Sequence, residues 1–193
     1  MQTGRTIPVE NTDPDQMDTL EGNILSDQMD ISDDDQMDWQ VVEPLARGMT
    51  NLQIESCLKG YPATVCCADE LSLHVRVKPH TFIVNTDTSD RGGSHWVAFH
   101  FPLVGPAEFF DSLGNAPGTY HLCFANFLIV NYGPQYYYCS LQIQPDDTDT
   151  CGLYCLYYFN CRHRGRELPD IVKDFSPVDL NGNEDKILRF YRN

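Results

Sequence analysis

The hydrophobic positions of this chain fall into blocks whose spacing changes along its length. Over the first forty residues there are few of them, and they follow neither the helical nor the strand period. From about Val41 the pattern becomes regular. In TNLQIESCLKGY (50–61), Leu52, Ile54, Cys57 and Leu58 recur roughly at helical spacing, with Thr50 or Asn51 placed to cap the N-terminus. TFIVNTDT (81–88) reads as a strand ending in turn residues, and SHWVAFHF (94–101), after SDRGG, as a strand so continuously apolar that both faces must be covered. AEFFDSLGNAPG (107–118) predicts a third strand and a turn. TYHLCFANFLIVNYG (119–133) predicts a helix closed by Gly133.

QYYYCSLQIQ (135–144) alternates as a strand does, and TCGLYCLYYFNCRHRG (150–165) predicts a buried helix closed by Gly165. NEDKILRFYR (183–192) reads as a last amphipathic helix. The order α–β–β–β–α–β–α–α predicts an α+β domain over residues 41–193, with a central, mostly antiparallel sheet flanked by helices.

Charge separates the leader from that domain. Residues 1–40 hold eleven acids and one base, out of a formal net charge of −15 for the 193-residue chain. DQMD occurs there three times, at 15–18, 27–30 and 35–38. Like charge and few apolar residues predict a disordered acidic leader, read either as a solvating segment or as a repeated docking motif with Met as its apolar contact. Net acidity weighs against general DNA binding. No apolar run approaches a membrane span and no secretory signal opens the chain, so an intracellular protein with its eight cysteines as free thiols is expected.

The candidate chemistry lies in three separated residues. His95 follows Gly92-Gly93-Ser94 and opens a strand, Asp111 ends the next strand, and Cys151 stands at a predicted helix start. A thiol must be a thiolate to attack a carbonyl. A helix N-terminus and a neighbouring imidazolium both favour that charge, and a carboxylate behind the ring holds its tautomer. Gln144 would end a strand seven residues before Cys151 and supply a side-chain amide to an oxyanion, beside the backbone N–H of the nucleophile. The intervening PDDTDT offers Asp149 or Thr150 as N-cap, and Gly152 permits close approach at the helix start. Each residue alone has an ordinary reading: a structural His beside Trp96, a turn-forming Asp, a core Cys. A metal site from Cys151, Cys155, Cys161 and His163 is disfavoured, because the spacing lacks a CxxC knuckle and lies on one helix. No metal or cofactor is expected.

Taken together, IVNTDTSDRGGSHWVAFHF, FFDSLG and QPDDTDTCGLYCLYYFN resemble the adenovirus endopeptidase (adenain) family of cysteine proteases, related to the SUMO-deconjugating proteases. The resemblance runs from about Gly48 to about His163. It implies an adenain-like fold with His95 as general base, Asp111 as its orienting acid, Cys151 as nucleophile and Gln144 as oxyanion donor. Gly93, Trp96 and Gly152 would border the substrate groove. It also implies a viral or virus-derived endopeptidase that cuts capsid or core precursors at Gly-containing sites, in the host nucleus or cytoplasm or packaged in the virion. LEGNI (20–24) in the leader has the shape of such a site.

The family's accessory partners are DNA and an activating peptide joined by a disulfide. Cys123 and Cys139 are the candidate linking cysteines, and Arg162, His163, Arg164 and Arg166 form the one basic cluster, either a phosphate patch or helix-end charges. The acidic leader and the chain beyond about residue 167 have no counterpart in the family pattern. Two other functions stay open: an isopeptidase acting on a ubiquitin-like modifier, and a binding module on the same fold.

Overall fold

The computed structural model describes residues 5–6, 48–71 and 74–192. The acidic leader, its DQMD repeats, LEGNI and the expected domain start at 41 lie outside the described residues, apart from the two-residue strand β1 (Arg5–Thr6). The remaining elements are α1 (Asn51–Cys57), β2 (Ala63–Cys67), β3 (His80–Asn85), β4 (Trp96–Phe101) and β5 (Glu108–Phe110). They continue with α2 (Leu122–Asn131), β6 (Tyr137–Tyr138), α3 (Cys151–His163), α4 (Leu168–Val172) and α5 (Leu180–Phe190).

The strands form one sheet in the order β1-β6-β5-β4-β3-β2. Its centre is antiparallel, β3 with β4 and β4 with β5, while β2 joins β3 and β6 joins β5 in parallel. The fold is α+β as expected, but its sheet is mixed rather than mostly antiparallel. The shorter connections, β3 to β4 and β4 to β5, make the antiparallel pairs. The chain returns through α2 to lay β6 alongside β5, and no local pattern announces that direction.

Helices cover both faces, which explains why all six residues of β4 are buried. On one face Ile83, Trp96, Ala98 and Phe110 pack against α1, α3, α4 and α5. On the other, Phe82, Val97, Phe99, Phe101 and Phe109 meet Phe124, Phe127 and Leu128 of α2. The period-2 alternation of a strand thus feeds two separate cores. Helix α3 is the most deeply set: Cys151 through Cys161 are buried without interruption. Phe110 stacks on its Tyr158 at 4.7 Å.

Three elements depart from the sequence expectation. The strand predicted over 135–144 is reduced to Tyr137–Tyr138, because beyond it the N–H groups of Ile143 and Gln144 both turn to the Ser112 carbonyl. Strand β2 and helix α4 were not expected at all. β2 has a single fully buried residue, Cys66, and derives its order from pairing with β3. α4 is only five residues long, started by Pro169 in its first turn and held down by Leu168, Ile171 and Val172. Among the described residues no helix is long and apolar enough to cross a membrane.

Candidate active site

Strand register brings His95 and Asp111 together. Ala98 of β4 faces Phe110 of β5 in an antiparallel pair, so the residues just before β4 and just after β5 emerge at the same end of the sheet. There His95 Nε2 donates to Asp111 Oδ1 at 2.7 Å. Cys151, the first residue of α3, reaches the same point because α3 lies along β4: one turn further on, the Cys155 thiol donates to the Trp96 carbonyl at 3.3 Å. The Cys151 sulfur lies near enough to the His95 ring to favour its protonated form. With Nε2 committed to Asp111, Nδ1 is the nitrogen left for the sulfur.

Asp111 is fully buried and holds four donors. Besides His95, Oδ1 accepts from the Leu113 N–H at 2.9 Å, and Oδ2 accepts from the Asn115 N–H at 3.1 Å and the Tyr120 hydroxyl at 2.7 Å. A buried carboxylate needs such a set to remain charged. Tyr120 serves twice, because its ring also lies against His95, 5.7 Å between centroids and tilted by 30°. Burial and the Asp111 charge push its phenol well above the usual range, so it remains a donor.

Electrostatics separate the two histidines of β4 and its approach. Burial opposes charge on His95, but the hydrogen bonds and charges of Asp111 and Cys151 outweigh it and push its pKa up to about 9. Among the described residues His100 has no carboxylate partner. Burial, with Arg162 and His80 nearby, pushes it down to about 3, and it bonds the Thr81 hydroxyl at 2.8 Å as a neutral ring. His95 is the one of the two built to carry a proton at neutral pH.

These groups open onto a cleft of about 720 Å³, lined among others by Gly93, His95, Trp96, Gln144 and Cys151. Gln144 is buried but does not end a strand; it sits in the loop between β6 and α3. Its Oε1 accepts from the Ser112 hydroxyl at 2.6 Å, and its Nε2 donates to the Thr148 carbonyl at 2.9 Å and hydroxyl at 3.2 Å. Trp96 is held by its indole N–H, which donates to the Met49 carbonyl at 2.9 Å. Met49 is itself fixed by the capping box that starts α1, in which Thr50 and Gln53 exchange side-chain bonds.

Gly93 has φ +79°, and a Cβ there would come within 2.6 Å of Asn85 Nδ2, so this turn before His95 requires glycine. Gly152 is not among the cleft-lining residues: a Cβ there would meet the side chain of Met49, which does line the cleft, at 3.1 Å, so its small size lets α3 approach that side chain. At the start of α3, Thr150 occupies the N-cap position but makes no side-chain cap bond.

Tyr120, Asn115, Ser112 and Thr148 escape any sequence reading. Each is a common residue in a turn or loop, marked only by what it touches in three dimensions. The remaining candidates are accounted for as well. All eight cysteines are free. Burial is the first cause raising the thiol pKa at Cys57, Cys66, Cys67, Cys123, Cys139, Cys155 and Cys161. Of the two candidate linking cysteines, Cys139 is buried and Cys123 half-buried. In the basic cluster, Arg162 Nε lies 3.2 Å from Glu108 and Arg166 pairs with Asp174 at 2.7 Å. Those two guanidiniums are committed inside the fold, as helix-end charges would be.

No protein-family model matches the chain, and no curated protein sequence matches it. Among solved structures it is similar to the crystal structure of the selenomethionine ASFV pS273R protease, with 22% identity and a TM-score of 0.38 over 57% of this chain. The matched part is 42% of that protease, so the chain spans less than half of its length.

Proposed function

We propose that this protein is a cysteine endopeptidase of viral type that uses Cys151, His95, Asp111 and Gln144. The observation that carries this reading is a buried His95–Asp111 pair with Cys151 beside it, His95 and Cys151 both lining a cleft large enough for a peptide segment. The Cys151 sulfur, as thiolate, attacks the scissile carbonyl carbon. The new S–C bond pushes the carbonyl electrons onto oxygen. The backbone N–H groups at the start of α3 are donors for that oxyanion, joined by the Gln144 amide when the oxyanion draws one of its N–H groups from Thr148. His95 gives its proton to the leaving amine as the C–N bond breaks, then takes one from water to hydrolyse the thioester. Asp111 keeps the ring oriented throughout and does not itself need to change protonation.

Protein substrates follow from this chemistry. Capsid or core precursors cut at Gly-containing sites, with work in the host nucleus or cytoplasm or in the virion, are the biology the motif resemblance supports. The test is incubation of wild type and Cys151→Ala with viral structural precursors and with ubiquitin-like precursors. Internal cuts made by wild type alone support the endopeptidase. Release restricted to a modifier's C-terminal Gly-Gly supports an isopeptidase. No turnover of either, with Cys151 still reactive to an electrophile, leaves a binding module.

A further inference from the structure

Helix α5 lies in the part of the chain that no motif covers, yet two adjacent residues on it hold the loop that carries Gln144. Asn183 is buried, and its Nδ2 donates to the Ile143 carbonyl at 2.9 Å, immediately before Gln144. The same side chain is fixed from behind by Ser176, through Nδ2 to the Ser176 carbonyl at 2.7 Å and the Ser176 N–H to Oδ1 at 2.8 Å. Glu184 takes the other end of the loop: its Oε2 accepts from the Thr150 hydroxyl at 2.7 Å and from the Thr148 hydroxyl at 3.4 Å.

We propose that Glu184 is a positioning residue for Gln144, and that α5 therefore belongs to the catalytic apparatus. This rests on the reading of Gln144 as oxyanion donor. A hydroxyl has one proton to give, and a carboxylate can only accept. Thr150 points its proton at Glu184, 2.7 Å away, while the Thr148 proton has the Pro145 carbonyl at 3.2 Å and Glu184 at 3.4 Å as acceptors and Thr148 Oγ1 turns a lone pair to the Gln144 amide. Without the carboxylate, the Thr150 proton has Thr148 Oγ1 at 3.3 Å as an alternative acceptor, where it competes with the Gln144 amide.

The experiment compares Glu184→Ala and Glu184→Gln in wild-type and Gln144→Ala backgrounds. It measures hydrolysis of a cleavable peptide, alkylation of Cys151 by iodoacetamide, and the side-chain amide NMR signals of Gln144, assigned by their loss in Gln144→Ala. Because it misplaces a donor rather than deleting it, Glu184→Ala should lower kcat by roughly 10–100-fold, with KM and alkylation within about twofold. Glu184→Gln, whose Oε1 still accepts, should recover most of that loss. In the Gln144→Ala background, Glu184→Ala should cost nothing more, because both changes act on one donor. Full additivity of the two losses, or alkylation falling in step with turnover, would show a merely structural role and overturn the proposal. If wild type hydrolyses no peptide, the reading of Gln144 as a donor fails separately. The NMR comparison still decides the positioning: Gln144 amide signals that move on Glu184→Ala support it, and unmoved signals overturn it.

Discussion

Replacing Asp111 with Asn exchanges one oxygen for an NH₂ and removes one charge, with almost no change of shape. Asp111 is fully buried and each of its oxygens faces two donors, so the new NH₂ must point at a donor whichever way it turns. Placed on the Oδ2 side it is mildest, since the Tyr120 hydroxyl can rotate to accept. The Asn115 N–H is then left unpaired, at a cost of about 1–3 kcal/mol.

The charge effect acts through His95, whose pKa stands at about 9 against an ordinary 6.5. At 1.36 kcal/mol per factor of ten, the fold stabilises the imidazolium by on the order of 3 kcal/mol. Burial works against that balance, and Asp111 makes the leading favourable contribution ahead of Cys151. A folded pKa raised above the unfolded one contributes stability that is complete below about pH 6.5 and lost as pH rises through about 9. Asp111→Asn should therefore destabilise the protein by about 3–5 kcal/mol near pH 6, and by only about 1–3 kcal/mol near pH 10. Urea unfolding of both proteins at each pH measures the difference. An equal loss at the two ends of the range would refute the coupling of Asp111 to the His95 charge.

Three further outcomes are expected. With burial raising the other seven thiols and the His95 imidazolium beside Cys151, a dilute electrophile at pH 6 should alkylate Cys151 first; mass mapping that finds uniform labelling, or Cys67 in the lead, contradicts this. Gln144→Ala should lower kcat by roughly 10²–10³ while Cys151 alkylation is unchanged, and activity within a few-fold of wild type would reduce Gln144 to a loop residue. Gly93→Ala, forced to φ +79° against Asn85, should lose about 1–2 kcal/mol of stability and weaken turnover, whereas unchanged unfolding would mean that the loop before His95 accommodates a side chain.

Sequence by itself determined the elements whose signal is local. The capped start of α1, the doubly buried strand β4 and the extent of α3 follow from periodicity and end residues, because a capping box or an uninterrupted apolar run is written in consecutive positions, whereas α5, expected over 183–192, runs from Leu180 to Phe190. The candidate residues His95, Asp111, Gln144 and Cys151 were legible too, since motif order survives in the chain. Tertiary structure alone decided the rest. The parallel pairings of β2 with β3 and of β6 with β5 depend on where the chain returns, so the sheet came out mixed. Gly152 turned out to face Met49, because the face a helix residue presents depends on what packs there. Tyr120 and Glu184 acquire their roles from partners 9 and 34 residues away, Asp111 and Thr150. Hydrogen bonds over such separations are chosen by the packed fold, and no local pattern in the sequence records them.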